Sequence, residues 1–302
     1  MTSTDAKKTS PRGNLMIIAA TLIWGAGGVA QAAGMEHVSP MTFNGARFFL
    51  GGTMALGPAL YFLRRQKKIA SLKSPGGEIS RGTLLAGIIC GAILCLAINL
   101  QQYAYYVGIY ASKVGFITTL YVIIVPIMSL VFLRKKAPVS VWIGVVIALA
   151  GMYFLSFSNG LDISLGDILV FLCAVVFSVQ ILLIGHFSPK HNVMVLACIQ
   201  FYTVSIISFL FAFIFEAPSI SLIIAGGVYV LYTGILSSGV AYILQMKAQK
   251  TTDPTVAAVL FSFEAVVLAV TAGLILGQFL PPRELLGCAL IFTAVLVAQI
   301  PV

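Results

Sequence analysis

Charged residues are scarce in this chain. They make up 9% of its 302 residues, whereas apolar residues reach 60% and the mean hydropathy is +1.04. A soluble domain typically has about 25% charged residues, because its surface must be hydrated. The composition therefore excludes an ordinary soluble protein and indicates that lipid is the main solvent.

The alternating pattern of a transmembrane β-strand is also missing. Such strands span about 10 residues, whereas the apolar runs of this chain are about twice as long. In lipid, helices satisfy their own backbone N–H and C=O groups, so we expect each run to be helical. The predicted fold class is an all-α integral membrane protein with ten transmembrane helices, at residues 15–34, 40–63, 82–107, 114–133, 137–157, 165–187, 193–215, 220–246, 254–277 and 285–300.

The sequence lacks the motifs of several kinds of chemistry. The five cysteines have neither paired nor metal-ligand spacing, and the three histidines lie at the ends of apolar runs. Neither HExxH nor a phosphate-binding Gly-Lys motif occurs, and the acidic residues are not clustered. We therefore expect no metal, no cofactor, no ATP hydrolysis and no enzymatic activity.

Basic residues form short clusters between the apolar runs. If the N-terminus is cytoplasmic, 15 of the 18 Lys and Arg residues fall on the cytoplasmic side, as expected for cytoplasmic loops. Both termini are therefore predicted to be cytoplasmic, and the net charge of +9 gives no reason to expect nucleic acid. A rival interpretation treats residues 1–33 as a cleaved signal peptide, which would leave nine helices.

The two halves of the chain resemble each other. A shift of 143 residues places Gln102 on Gln245, and a shift of 153 places Arg47 on Gln200 in the first two helices. Because five helices per copy is an odd number, the second copy enters the membrane from the opposite side, as in transporters that work by alternating access. The predicted organisation is a cytoplasmic tail at 1–13, a first repeat at 14–157 and a second repeat at 158–302.

Four segments resemble the EamA-type proteins of the drug/metabolite transporter superfamily. They are LIWGAGG at 22–28, NGARFF at 44–49, ASKVGFITTLYVIIVPI at 111–127 and TDPTVAAVLFSFEAVV at 252–267. The sequence departs from the family where Ala265, rather than proline, follows Glu264, and where Gln278 replaces a glutamate. The resemblance implies a ten-helix exporter or exchanger, and relatives handle amino acids, other metabolites and drugs.

Polar residues near the middle of the predicted helices are the candidate substrate-binding residues. Glu264 is the only acidic residue deep within an apolar run, where ionisation without a partner costs a few kcal/mol or more. It is a candidate for proton coupling or for binding an ammonium group, and a structural role is the alternative. The candidate cavity residues are Trp24, Tyr121, Ser178, Gln180, Thr233 and Glu264.

Two polar stripes at helical spacing predict vestibules on opposite sides of the membrane. The alternative is that these groups form hydrogen bonds between helices. Two further residues stand apart: Arg47 is expected to extend toward the outer interface rather than bind an anion, and Pro126 is a hinge candidate. The stripes are Asn99, Gln102, Tyr103 and Tyr106 in the first half, and Ser238, Tyr242 and Gln245 in the second.

The leading functional hypothesis is a secondary active transporter in the bacterial inner membrane, a monomer or homodimer. It would export or exchange small amphiphilic metabolites, with amino acids as the first class to test, by alternating access around a cavity at the membrane midplane. Its partners would be a small-molecule substrate and the lipid bilayer, with protons as a third candidate. Two alternatives stay open: an intramembrane enzyme acting on lipid-linked substrates, and a membrane scaffold that transports nothing.

Overall fold

The computed structural model describes residues 11–70, 80–134, 137–156, 164–277, 281–298 and 300. Most of the predicted cytoplasmic tail and Gln278 lie outside these ranges. Within them the chain forms fourteen α-helices and one π-helical segment, and no strand. The all-helical architecture predicted from the apolar runs is therefore present in the part of the chain that the structure describes.

The helices follow the predicted apolar runs closely. Among the described residues, eight helical segments are long and apolar enough to cross a membrane, and the apolar stretches Val139–Gly151 and Leu285–Ala294 are shorter. The elements are α1 Pro11–Gly34, α2 Pro40–Ala70, α3 Arg81–Tyr106, α4 Ala111–Thr118, α5 Tyr121–Leu133, α6 Val139–Ser156, α7 Leu165–Phe187, α8 Val193–Phe215, α9 Ile220–Ala225, α10 Gly227–Tyr232, the π-helical segment Thr233–Ala241, α11 Tyr242–Ala248, α12 Pro254–Phe261, α13 Phe263–Leu276 and α14 Pro282–Ala298.

Several helices begin at side chains that accept hydrogen bonds from the first turn. Ser164 and Asp167 form a reciprocal capping box at the start of α7. The Asn192 side chain accepts from the first backbone N–H groups of α8. Asp253 caps α12, which continues with Pro254 at its first position. These contacts supply partners for N–H groups that a helix cannot satisfy internally, so they fix where each helix begins.

Two spans are interrupted at equivalent places. Thr119 and Leu120 separate α4 from α5, and Ser262 separates α12 from α13. The Thr119 hydroxyl donates to the Phe116 carbonyl (2.7 Å), and the Ser262 hydroxyl donates to the Val259 carbonyl (2.6 Å). The shift of 143 residues places Thr119 on Ser262, so a hydroxyl bonded to its own helix marks both breaks. The predicted hinge at Pro126 lies instead within the continuous helix α5.

Helix packing also pairs equivalent elements of the two halves. Helix α2 of the first half packs against α8 of the second, and α6 packs against α14. The third span of the first half, α3, lies against α7 and α8. In the second half, α10, the π-helical segment and α11 lie against α1 and α2. Equivalent elements of the two halves therefore have equivalent packing partners in the other half, as an approximate twofold axis between the halves requires.

The outside of the bundle is apolar. Side chains such as Phe213, Val228 and Leu274 are exposed along the helices, where a soluble protein rarely presents large continuous apolar surface. Buried side chains lie between the helices and form two main clusters, one around Phe48 and Phe201 and the other around the α5 and α12 segments. This arrangement suits contact with lipid outside and a polar interior between the clusters.

Candidate functional site: a central cavity between the two halves

A partly enclosed cavity of about 480 Å³ of empty space lies between the two halves of the bundle. Its walls come from helices of both halves, and they combine aromatic rings, four glutamine amides, one arginine and one carboxyl group. The lining residues are Trp24, Gln31, Arg47, Gln101, Thr118, Tyr121, Phe177, Gln180, Ile181, Ser237, Tyr242, Gln245, Phe261 and Glu264.

Arg47 is buried at this cavity, with 2% of its surface exposed. Its Nε donates to the Ser238 hydroxyl (3.1 Å) and its Nη1 donates to the Gln31 side-chain oxygen. The guanidinium also lies 4.9 Å from the centre of the Phe48 ring. The expectation that Arg47 extends to the outer interface is therefore wrong, because its hydrogen-bond partners on α1 and the π-helical segment draw the side chain inward.

Glu264 lies in the first turn of α13, directly after the break at Ser262. A carboxylate is favoured at a helix N-terminus, where backbone N–H groups point toward it. The side chain is partly exposed and lines the cavity. Although Arg47 lines the same cavity, no ion pair joins the two within the described residues, where the salt bridge found is between Lys113 and Asp167. A basic and an acidic side chain therefore line one cavity without forming an ion pair.

Trp24 forms part of the cavity wall. Its indole Nε1 donates to the backbone carbonyl of Ser237 (3.0 Å) in the π-helical segment. Its ring lies 4.9 Å from the ring of Tyr242 and 5.6 Å from that of Phe261, measured between centroids. A π-helical stretch often marks a functional position because its backbone hydrogen bonding is irregular. Trp24 thus ties α1 to the irregular part of the eighth span.

Several buried polar atoms at the cavity have no hydrogen-bond partner among the described residues. Gln245 Nε2 donates to Gln180 Oε1 (3.1 Å). The other amide atoms of this pair, Gln180 Nε2 and Gln245 Oε1, have no partner, and the hydroxyls of Tyr121 and Ser237 also have none. Leaving such a group unpaired costs about 1–3 kcal/mol. Donors and acceptors of this kind around an empty space are suited to bind water or a polar solute.

The structure brings together four of the six residues predicted for the cavity. Trp24, Tyr121, Gln180 and Glu264 line it. The other two lie away from its lining and bond their own helices: Ser178 donates to the Ala174 carbonyl (2.8 Å) and Thr233 donates to the Tyr229 carbonyl (2.6 Å).

The residues of the two polar stripes are divided. Tyr242 and Gln245 line the cavity, whereas Ser238 accepts the hydrogen bond from Arg47. In the first half, the Asn99 amide bonds Ser208 (3.0 Å) and Asn44 (3.0 Å), and Gln102 donates to the Gln31 carbonyl (3.1 Å). Tyr103 and Tyr106 are 41% and 53% exposed and lie outside the cavity. Vestibules on the two sides remain a prediction.

Sequence reasoning missed several cavity residues. Gln31, Gln101, Thr118 and Ser237 lie in apolar runs and outside the two polar stripes, so their positions in the sequence did not distinguish them. The buried face of α3 includes Gln101, about 100° around the helix from its neighbour Gln102. The sequence does distinguish Arg47, because the shift of 153 residues places it on Gln200, so that this position is polar in both halves.

An ion pair connects the halves at one end of the bundle. Lys113 Nζ in α4 lies 2.8 Å from Asp167 Oδ1 in α7. The Asp167 carboxylate also accepts from the backbone N–H (2.8 Å) and hydroxyl (2.9 Å) of Ser164. The charge pair therefore joins an element of the first half to one of the second, away from the cavity lining.

The chain is similar along nearly its whole length to a transporter family and to proteins named as uncharacterized transporters. The model of the EamA-like transporter family matches it twice, at residues 11–157 and 164–299. An uncharacterized transporter of Archaeoglobus fulgidus is 31% identical over 287 residues, which cover 93% of this chain and 83% of the relative. The uncharacterized transporter YoaV of Bacillus subtilis is 27% identical over 281 residues, 88% of this chain and 92% of the relative.

A solved crystal structure has the same fold, with a TM-score of 0.74, 20% sequence identity and coverage of 95% of this chain and 96% of the other. The fold and the central cavity are those of a multi-pass helical membrane protein. The chain belongs to the EamA-like transporter family, as its resemblance to the drug/metabolite transporter superfamily predicts.

Proposed function

We propose that this protein is a secondary active transporter that exports or exchanges small amphiphilic metabolites, with amino acids as the first class. The observation that carries the proposal is the cavity between the two halves, where charged, aromatic and unpaired polar groups face one space. Transporters built from inverted repeats bind their substrates at such an interface, and the halves rock around it to open one side at a time.

The proposed architecture has ten spans in two inverted repeats. Its support is the double match to the family model, the equivalent breaks at Thr119 and Ser262, and the packing of α2 on α8 and α6 on α14. Two of the ten spans correspond to the shorter apolar helices α6 and α14. The clustering of Lys and Arg between alternate spans supports cytoplasmic termini and a cytoplasmic (inner) membrane location.

We propose Glu264 as the residue that couples transport to protons. It is a carboxyl group in the membrane interior with no ion-pair partner among the described residues, and it can exchange a proton through the cavity. The titratable side chains around it come from four other elements: Tyr105, Tyr121, Cys173 and Tyr242 interact with it electrostatically. Arg47 lines the same cavity.

The test is the flux of a labelled metabolite panel into proteoliposomes, with and without a proton gradient. We expect saturable flux of at least one panel member, increased by the gradient in the parent. In Glu264→Gln the increase is lost, because the amide cannot exchange a proton, while exchange without a gradient persists. The control is Glu36→Gln, which removes an exposed carboxyl group between α1 and α2.

The two parts of the proposal fail separately. No specific flux of any solute, from correctly folded protein, contradicts transport and leaves the enzyme and scaffold hypotheses. Normal flux with an unchanged gradient response in Glu264→Gln contradicts coupling through this residue and favours uniport or exchange.

A further inference from the structure

A row of buried polar side chains leads from the central cavity toward the end of the bundle where α1 begins. Gln245 lines the cavity, and Gln249 and Thr252 follow it at i+4 and i+7, so the three lie on one face of a helix. The backbone N–H of Gln249 donates to the Gln245 carbonyl (2.9 Å). That of Thr252 donates to the Ala248 carbonyl (3.0 Å), so the helical path continues beyond α11. At a rise of about 1.5 Å per residue, the row is about 10 Å long.

Each member of this row has an oxygen atom without a hydrogen-bond partner among the described residues. These atoms are Oε1 of Gln245, Oε1 of Gln249 and Oγ1 of Thr252, and all three side chains are buried. The amide nitrogens are held by α7, because Gln245 Nε2 donates to Gln180 Oε1 (3.1 Å) and Gln249 Nε2 donates to the Ile181 carbonyl (3.0 Å). Burying an oxygen atom without a partner costs free energy, which is regained when water or a polar solute reaches it.

A close contact with a glycine lies at the far end of the row. A Cβ atom added at Gly13, in the first turn of α1, would lie 2.5 Å from Thr252 Oγ1 and 3.5 Å from the Ala248 carbonyl oxygen. Beside it, a Cβ atom added at Gly185 in α7 would overlap the ring of Pro254, the first residue of α12. The ends of α1, α7 and α12 therefore meet here in packing that leaves no space for a side chain at either glycine.

We propose that the row of Gln245, Gln249 and Thr252 lines the solute's passage between the cavity and the cytoplasm, and that Gly13 closes this passage by packing α1 against Thr252. The inference rests on the proposed transport function and names the residues along which the solute leaves or enters the cavity. The side follows from the basic residues Lys247 and Lys250 on the same stretch of chain, as expected for a cytoplasmic helix end.

The closed and the open arrangement of this contact are favoured by different interactions. In the closed arrangement the glycine lets backbone and side chain approach closely, which gains dispersion contacts. In the open arrangement the three oxygen atoms accept hydrogen bonds from water or from N–H and O–H groups of the solute, so they are no longer buried without partners. Acceptors that follow one another by about one helical turn offer a polar solute successive partners along its path.

The first experiment measures whether Gly13 closes the passage. A membrane-impermeant maleimide is added to inside-out membrane vesicles, whose cytoplasmic side faces the reagent, and the rate at which it labels Gln249→Cys is followed. We expect the rate to rise at least about fivefold when Gly13→Val is also present, because overpacking against Thr252 destabilises the closed arrangement. Gly13→Ala supplies the measurement if Gly13→Val does not yield folded protein.

Three controls accompany the labelling. Gly57→Val should leave the rate unchanged, because no atom lies within 4 Å of a Cβ atom added there. Lys247→Cys, at an exposed position of α11, should react at one rate with or without Gly13→Val. The Gly13→Val protein without an added cysteine gives the baseline, since a general loss of structure would also expose the natural cysteines, four of which are buried.

The second experiment measures flux. Thr252→Val keeps the shape of the side chain and removes the hydroxyl, which has no partner in the closed arrangement. We therefore expect unchanged or higher thermal stability together with flux at least about threefold slower, because the open passage loses an acceptor. Thr293→Val is the matched control, since the Thr293 hydroxyl is exposed and bonded to the Ala289 carbonyl of its own helix (2.8 Å), and it should keep the parent flux.

The outcomes separate this passage from transport itself. If Gly13→Val does not speed the labelling of Gln249→Cys while Lys247→Cys reacts normally, the closure by Gly13 is wrong. Labelling of Gln249→Cys only from the opposite side of the membrane overturns the assigned direction. Parent flux in Thr252→Val overturns the role of the row, and each of these results leaves transport standing. Absence of flux for every solute in the parent contradicts the transport proposal and, with it, the passage.

Discussion

At the residue scale, Glu264 and Arg47 show what a sequence can reveal about a membrane site. Glu264 is recognisable because no other acid lies so deep in an apolar run and lipid penalises an ionised carboxyl group. Arg47 lies about 10 Å along α2 from Pro40 by helical rise, and its long side chain can extend outward or inward. Its bonds to Gln31 and Ser238 depend on helix rotation and tertiary packing, which the sequence pattern does not specify.

Trp24→Phe tests the contact between α1 and the π-helical segment. Phenylalanine keeps an aromatic ring against Tyr242 and Phe261 but removes the hydrogen bond to the Ser237 carbonyl. We expect a loss of about 1–3 kcal/mol in stability, because a buried carbonyl loses its partner. The measurement is thermal unfolding of purified protein followed by size-exclusion chromatography. Trp142→Phe in α6 is the control, and equal effects of the two substitutions would contradict the assigned role.

At the scale of elements, the bounds of the helices were largely predictable and their interruptions were not. Apolar length and capping residues such as Ser164 and Asn192 mark where spans begin. The breaks at Thr119 and Ser262 lie within apolar runs, and at each of them a hydroxyl is bonded to its own helix. The repeat shift makes these two positions equivalent, but periodicity alone does not identify either as a break.

Close approach of α1 and α13 depends on a glycine. A Cβ atom at Gly25 would lie 2.5 Å from Val267 Cβ and 2.9 Å from the Leu268 backbone nitrogen, so the helices would have to separate. We expect Gly25→Ala to lower the free energy of unfolding by about 1–3 kcal/mol through overpacking.

Gly57→Ala in α2 is the matched control, because no atom lies within 4 Å of the added Cβ, and alanine suits a helix better than glycine. Thermal unfolding in the same detergent compares the two variants. A Gly25→Ala protein as stable as Gly57→Ala would show that the two helices can move apart without cost.

At the scale of the whole molecule, the repeat gives the site its position. Elements of both halves converge on the cavity, and equivalent elements of the two halves have equivalent packing partners. The shift of 143 residues predicts which spans correspond, but it contains no distance between them, so the meeting of Arg47 and Glu264 at one cavity required the structure. Alternating access requires contacts between the halves that form on one side and break when that side opens.

The Lys113–Asp167 ion pair joins the two halves on the side predicted to be extracytoplasmic, and we expect it to be a contact of this kind. Lys113→Gln removes the charge pair but leaves Asp167 bonded to Ser164, so the start of α7 is kept. A partly exposed pair contributes about 0.2–1 kcal/mol, and its loss should favour opening on this side. We expect a membrane-impermeant maleimide added from outside to label the cavity variant Gln101→Cys roughly two- to fivefold faster when Lys113→Gln is also present.

The labelling experiment contains its own controls. Tyr110→Cys, at an exposed position beside α4, should react from outside at the same rate with or without Lys113→Gln, and this also tests the orientation. Lys190→Gln, which removes a cation between α7 and α8, should leave the labelling of Gln101→Cys unchanged. If Lys113→Gln does not increase that labelling while Tyr110→Cys reacts normally, the ion pair only fixes the ends of α4 and α7. Closure on this side must then depend on the packing of the spans themselves.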